Sequence, residues 1–136
     1  MNRNVIIVGG GRVGRHAAEE LNETRDSVTI VEKDIESSKG LRPQDVSLLI
    51  EGSGTDREVL ERANPDEADV IAALTNDTAT NLAVCELARE LNPDIRTIVR
   101  IASDGERDHA HLSYVDSVVY PEAAAGRLAF ERITAE

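Results

Sequence analysis

Cysteine occurs once in the 136 residues, at Cys85, so neither an internal disulfide nor a cysteine-based zinc site is available. That residue falls in an apolar helical run and is expected to be a small core side chain. Lysine is scarce, with Lys33 and Lys39 the only two among 15 basic residues, and Phe130 is the single phenylalanine. No apolar run reaches the roughly 18 residues of a membrane span, and the chain opens into a strand-like run with no charged-then-apolar leader. A soluble, cytoplasmic protein is the expectation. Also missing are G-x-S-x-G, a phosphate-loop lysine motif and H-E-x-x-H. His109 and His111 are spaced too closely to share one helix face, so they make a poor metal site. Catalytic residues are therefore expected to be none, and metal ligands likewise.

What the chain has in excess is acid: 26 acidic residues give a net charge of −11. Such a surface repels nucleic-acid backbones and anionic membranes, which excludes both as expected partners. The same acidity with so little lysine suits a salt-rich cytoplasm, because at molar salt the Debye length falls to about 3 Å and carboxylates cease to repel one another. That reading requires thermal stability to rise along a potassium chloride series. With 40% hydrophobic residues the chain can bury one core and is too short for two, so a single domain over 1–136 is expected, any further domain lying beyond Glu136.

The stretch from Asn4 to Glu32 organises the rest. A short apolar run, Asn4 to Val8, leads into Gly9-Gly10-Gly11-Arg12-Val13-Gly14. A helix-forming run follows, and a second apolar run, Ser27 to Val31, ends on Glu32, 18 residues after Gly14. Strand, G-x-G-x-x-G, helix, strand and terminal acid together make the dinucleotide-binding fingerprint. Gly9 would allow a sharp turn, Gly11 would admit a pyrophosphate close to the backbone, and Gly14 would let the helix lie against the sheet. The helix N-terminus carries roughly half a positive charge and favours an anion there even on an acidic protein. Glu32 can accept hydrogen bonds from adenosine ribose hydroxyls and would repel a 2′-phosphate, so NADP is disfavoured.

Apolar runs alternate with amphipathic segments to the end of the chain, the pattern of a parallel sheet covered on both faces. Strands are predicted at Asn4 to Val8, Ser27 to Val31, Ser47 to Ile50, Val70 to Leu74, Thr97 to Ile101 and Ser117 to Tyr120. Helices are predicted at Arg12 to Glu23, Ile35 to Leu41, Asp56 to Ala63, Asp77 to Leu91, Gly105 to Leu112 and Glu122 to Thr134. The expected architecture is a Rossmann-like doubly wound six-stranded sheet of order 3-2-1-4-5-6, with its site at the switch point beyond strands 1 and 4. Thr55, with Glu58 three residues on, is the expected cap of the third helix.

Several loops carry a more specific pattern: Gly52-Ser53-Gly54-Thr55 after strand 3, Ala68-Asp69 before strand 4, Thr75-Asn76-Asp77 after it, then Asn81, Arg100 and Pro121-Glu122. Together with Gly9 to Gly14 and Glu32, these resemble the RCK, or TrkA N-terminal, family of nucleotide-sensing domains of potassium channels and potassium uptake systems. Ser53 departs from the family, which usually has Asp there. The resemblance implies a site made of Gly9, Gly11, Arg12, Val13 and Gly14, of Glu32 and Lys33, of Gly52, Ser53, Gly54 and Thr55, of Leu74, Thr75 and Asn76, and of Arg100. In it Arg12 would fork onto phosphate oxygens or reach a neighbouring subunit's ligand, and Thr75 and Asn76 would face the phosphates or the distal half of the ligand. Glu122 is an interface candidate near a divalent cation or phosphate, or simply an acid at a helix N-terminus.

The implied ligand is NAD(H) or ATP/ADP, and the implied partners are a potassium transporter or channel membrane subunit and further copies of the chain. The helix after Pro121, with Leu128, Phe130 and Ile133, would either pack on such a copy or belong to the intrachain core. Two other readings compete with a regulatory domain: the cofactor-binding half of an NAD-dependent oxidoreductase, and the nucleotide-sensing module of another multidomain protein such as a phosphoesterase.

Overall fold

The computed structural model describes residues 2–101 and 112–136. Its strands are β1 (Asn4–Val8), β2 (Ser27–Glu32), β3 (Leu48–Glu51), β4 (Val70–Ala73), β5 (Arg96–Arg100) and β6 (Ser117–Val119). They form one sheet of order β3-β2-β1-β4-β5-β6. Every pairing is parallel. The helices are α1 (Arg12–Asn22), α2 (Arg57–Arg62), α3 (Thr78–Leu91) and α4 (Pro121–Thr134). The expected strands and order are present, with ends differing by a residue. The helix expected at Gly105 to Leu112 and the two histidines lie outside the described residues, apart from Leu112 itself.

The central strands are apolar on both faces because both faces are covered. Successive residues of β1 point to opposite sides. Ile6 and Val8 join Ile71, Ala73 and Val99 under α2 and α3, against Leu60, Val84, Cys85 and Ala88. Val5 and Ile7 join Val28, Ile30 and Ala72 under α1, against Ala18. Cys85 is fully buried as expected, and burial pushes its thiol pKa up to about 12, which removes it as a nucleophile at neutral pH.

Two local expectations fail. The helix predicted over Ile35 to Leu41 is only a 3-10 turn at Ile35–Ser38, with a second at Pro43–Asp45. Ser37, Ser38 and Gly40 are weak helix formers, and the Asp34 side chain accepts from Glu36 N–H and closes the turn locally. Helix α2 is capped by Asp56 rather than Thr55: the Asp56 carboxylate accepts from Glu58 N–H at 3.0 Å, while the Thr55 hydroxyl pairs with Ser53 at 2.7 Å. Finally, α4 buries none of its residues, with Leu128, Phe130 and Ile133 at 50%, 53% and 81% exposure. It is not part of the intrachain core.

Candidate functional site

Beyond the end of β1 the chain must turn at once to start α1, and the glycines divide that task. Gly9 adopts φ +108° and donates its N–H to Val31 at 2.8 Å, and a Cβ there would lie 3.0 Å from the backbone nitrogen of Thr75. At Gly14 a Cβ would strike the carbonyl oxygen of Gly9, so only glycine lets α1 lie this close to the turn. Gly11 is the reverse case, for a Cβ there would meet nothing within 4 Å. The open space beside Gly11 is where a ligand can approach the backbone. Gly11 is also the residue preceding α1; it supplies no side-chain cap, and the first turn of the helix holds no acid. The leading N–H groups of α1 therefore face the cleft without a side chain folded over them.

Glu32 stands at the end of the neighbouring strand and is not a free carboxylate. One oxygen accepts from Gly10 N–H at 2.6 Å and the other from Asp34 N–H at 2.8 Å. These bonds tie the glycine loop to the turn after β2 and fix the carboxylate's direction. A carboxylate has about four acceptor positions, so each oxygen keeps one for a hydroxyl of a ligand. After β3, Gly52 adopts φ +152° against Val59, and Gly54 is buried where a Cβ would come within 2.7 Å of Val8. That contact lays the Gly52-to-Thr55 turn directly over the end of β1.

The loop after β4 is built differently, because Thr75 and Asp77 are already paired with α3. Asn81 is fully buried on α3. Its side-chain oxygen accepts from Thr75 N–H at 3.0 Å and from the Thr75 hydroxyl at 2.6 Å. Its nitrogen donates to the carbonyls of Thr75 and Arg100, both at 2.9 Å. Asp77 caps α3 by accepting from Ala79 N–H and the Thr80 hydroxyl, each at 3.1 Å. Arg100 places one guanidinium nitrogen 3.3 Å from the Leu74 carbonyl, and its buried Nε has no partner.

These loops enclose one cleft of about 690 Å³. Gly9, Gly11, Arg12, Val13, Glu32, Lys33, Gly52, Ser53, Gly54, Thr55, Leu74, Thr75, Asn76 and Arg100 all line it. Gly14 does not, since it sits behind the loop against Gly9, and Glu122 lies on α4 away from the lining. The cleft also takes in Asp34, Ser37, Asp77 and Thr80, which sequence reasoning did not select. An Asp-x-x-Ser after the strand-ending acid and an Asp-x-x-Thr at the start of α3 were the available signals. Among the described residues no group of three or more His, Cys, Asp or Glu could hold a metal ion. None of the described helices is long and apolar enough to cross a membrane.

The cleft is thus a mouth of amides and small residues, with Arg12, Lys33 and Arg100 as cations and one oriented carboxylate. That inventory suits a phosphorylated, hydroxyl-bearing ligand. Residues 5–121 match the TrkA-N domain. A Trk system potassium uptake protein TrkA homolog of Pyrococcus horikoshii is 37% identical over 134 residues, covering 95% of this chain and 59% of that protein. The chain thus spans a little over half the length of that relative. Among solved structures, the TrkA-N domain of inner membrane protein ybaL from Escherichia coli superimposes with a TM-score of 0.83 at 23% identity, covering 98% of both chains. The GsuK structure bound to ADP gives 0.82 at 23% identity, covering 97% of this chain and 34% of that one. GsuK bound to NAD gives 0.72 at 20%, covering 94% and 23%. At such identities the solved structures establish the fold, and the sequence match establishes the family: this chain belongs to the TrkA-N domain family.

Proposed function

We propose that the cleft binds an adenine nucleotide, NAD(H) or ATP/ADP, and that the domain is a non-catalytic regulatory module that senses this ligand and controls potassium transport. The observation that carries the reading is the bare N-terminus of α1. Of the three helices that begin at the cleft loops, α2 and α3 are capped by Asp56 and Asp77, and α1 alone has no side-chain cap. A phosphate placed there receives backbone N–H groups and the positive end of the helix. Glu32 then stands one strand over, directed at the ribose, and its charge disfavours the 2′-phosphate of NADP. Arg12, exposed at the lip, is available to fork onto phosphate oxygens. The volume, about 690 Å³, is ample for a nucleotide.

The likeness to Trk system potassium uptake proteins supports the potassium-transport part of the reading. Regulation needs only that two conformations differ in ligand affinity by a few kcal/mol. The 136 residues would act as one nucleotide-binding unit in the cytoplasm, in contact with the membrane subunit of a transporter or channel and with further copies of the chain. The uncovered apolar side chains of α4 suit the latter contact, Arg127 stacking 5.3 Å from the Phe130 ring centre. Sedimentation of Phe130→Asp against the parent is expected to show loss of the oligomer, and an unchanged profile would remove α4 from the interface. For the ligand, isothermal titration with NADH, NAD, ATP, ADP and AMP is expected to give saturable binding of at least one. Absence of heat with all five would end the nucleotide reading.

A further inference from the structure

The wall of the cleft farthest from Glu32 is held together by a side chain that does not line it. Asn81 uses all four of its hydrogen-bonding positions, two on Thr75 as acceptor, one on the Thr75 carbonyl and one on the Arg100 carbonyl. It therefore links α3, the end of β4 and the end of β5 in one fully buried amide. The Arg100 side chain closes the same circuit from the other direction, through the Leu74 carbonyl at 3.3 Å. Leu74 and Thr75 are also the backbone that abuts the glycine turn, since a Cβ on Gly9 would lie 3.1 Å from the Leu74 carbonyl carbon and 3.0 Å from Thr75 nitrogen. The Arg100 guanidinium thus stands one carbonyl away from the phosphate loop. Arg100 itself lines the cleft, where its guanidinium can meet an anion.

We infer that Asn81 is a positioning residue for the part of the ligand beyond its first phosphate. By anchoring the Arg100 backbone and taking up Thr75 N–H and the Thr75 hydroxyl, it leaves the Arg100 guanidinium as the cation of this wall that reads a second phosphate or the distal half of a dinucleotide. The adenosine and first phosphate are held elsewhere, by Glu32 and the start of α1, and do not touch this wall. The inference rests on the nucleotide reading above and adds a preference by ligand length.

Asn81→Asp tests it with little change of shape. The variant keeps an acceptor for Thr75 and loses both donors, including the one to the Arg100 carbonyl. Titration calorimetry with AMP, ADP and NAD is the measurement. AMP affinity is expected to stay within about threefold of the parent, while ADP and NAD weaken by about tenfold or more, the worth of one charge-assisted hydrogen bond. Arg100→Gln, which leaves Asn81 in place, is expected to give the same selective loss. The double variant is expected to bind ADP no worse than Arg100→Gln alone, because both changes break one circuit. Equal weakening of AMP, ADP and NAD in these variants, or no weakening in the folded ones, overturns the inference while leaving the nucleotide reading intact. A parent that binds none of NADH, NAD, ATP, ADP and AMP overturns both. Should Asn81→Asp fail to fold, Arg100→Gln alone carries the same decision.

Discussion

Two helices begin at the same cleft and treat their N-termini in opposite ways. At α3, Asp77 lies across the first turn and Asn81 takes up Thr75, so the loop after β4 satisfies itself. At α1, Gly11 contributes no side chain, the first turn has no acid, and a Cβ there would meet open space. The contrast separates a structural helix start from a binding one. A capped terminus contributes to stability at all times, whereas a bare one is completed only when a ligand arrives. Glu32 reinforces the division, because its bonds to Gly10 and Asp34 hold the bare loop in shape without covering it.

The comparison can be broken most forcefully at the glycines. Gly14→Ala would drive a methyl group into the Gly9 carbonyl and is expected to cost about 1–3 kcal/mol of stability, read by urea denaturation, with nucleotide binding lost alongside. Gly11→Ala has room within the protein, so stability should change by less than about 1 kcal/mol. Its nucleotide affinity should nonetheless fall by about tenfold or more, as the methyl group occupies the ligand's approach. If both variants lost stability and binding in proportion, the separate roles given to the two glycines would be wrong.

At the other helix the expectation reverses. Asp77→Ala should cost about 1 kcal/mol through loss of the α3 cap and leave AMP affinity unchanged. A large fall in AMP affinity would place the first phosphate at α3 instead of α1.

The smallest effect on the site is expected at the opposite end of the sheet. There the buried Asp26 carboxylate accepts from the Arg3 guanidinium at 2.7 Å and from the Thr24 hydroxyl at 2.6 Å. The hydrogen bonds from Arg3, then Thr24, hold its pKa well below the usual carboxylate range. A lowered folded-state pKa contributes stability above the ordinary value of about 3.9, which is lost as pH falls toward the folded-state value. Asp26→Asn should therefore lower the melting temperature at pH 7, and the gap to the parent should narrow in acid, with nucleotide affinity unaltered. A gap that widened in acid would contradict the sign of the shift.

Much of this arrangement could be read in advance because it depends on spacing along the chain. The apolar runs marked all six strands, and the positions of Gly9, Gly11, Gly14 and Glu32 followed from the geometry of a strand, a tight turn and a helix. Where prediction failed, two local solutions competed. Thr55 and Asp56 are both good caps, and the choice fell to Asp56 once Thr55 had paired with Ser53 across the turn. The segment after Glu32 has helical periodicity, yet its serines, Gly40 and the Asp34 cap end it after one 3-10 turn.

By itself, the sequence determined the order of elements and the bare start of α1, since a run of glycines cannot cap a helix with side chains it lacks. Only the tertiary structure decided which polar residues remain available to a ligand. Thr75, Asn81 and Arg100 are far apart in the chain, and their pairing depends on β4, α3 and β5 meeting. It likewise decided that α4 stays uncovered, for none of its residues is buried against the described residues and Leu128, Phe130 and Ile133 remain exposed.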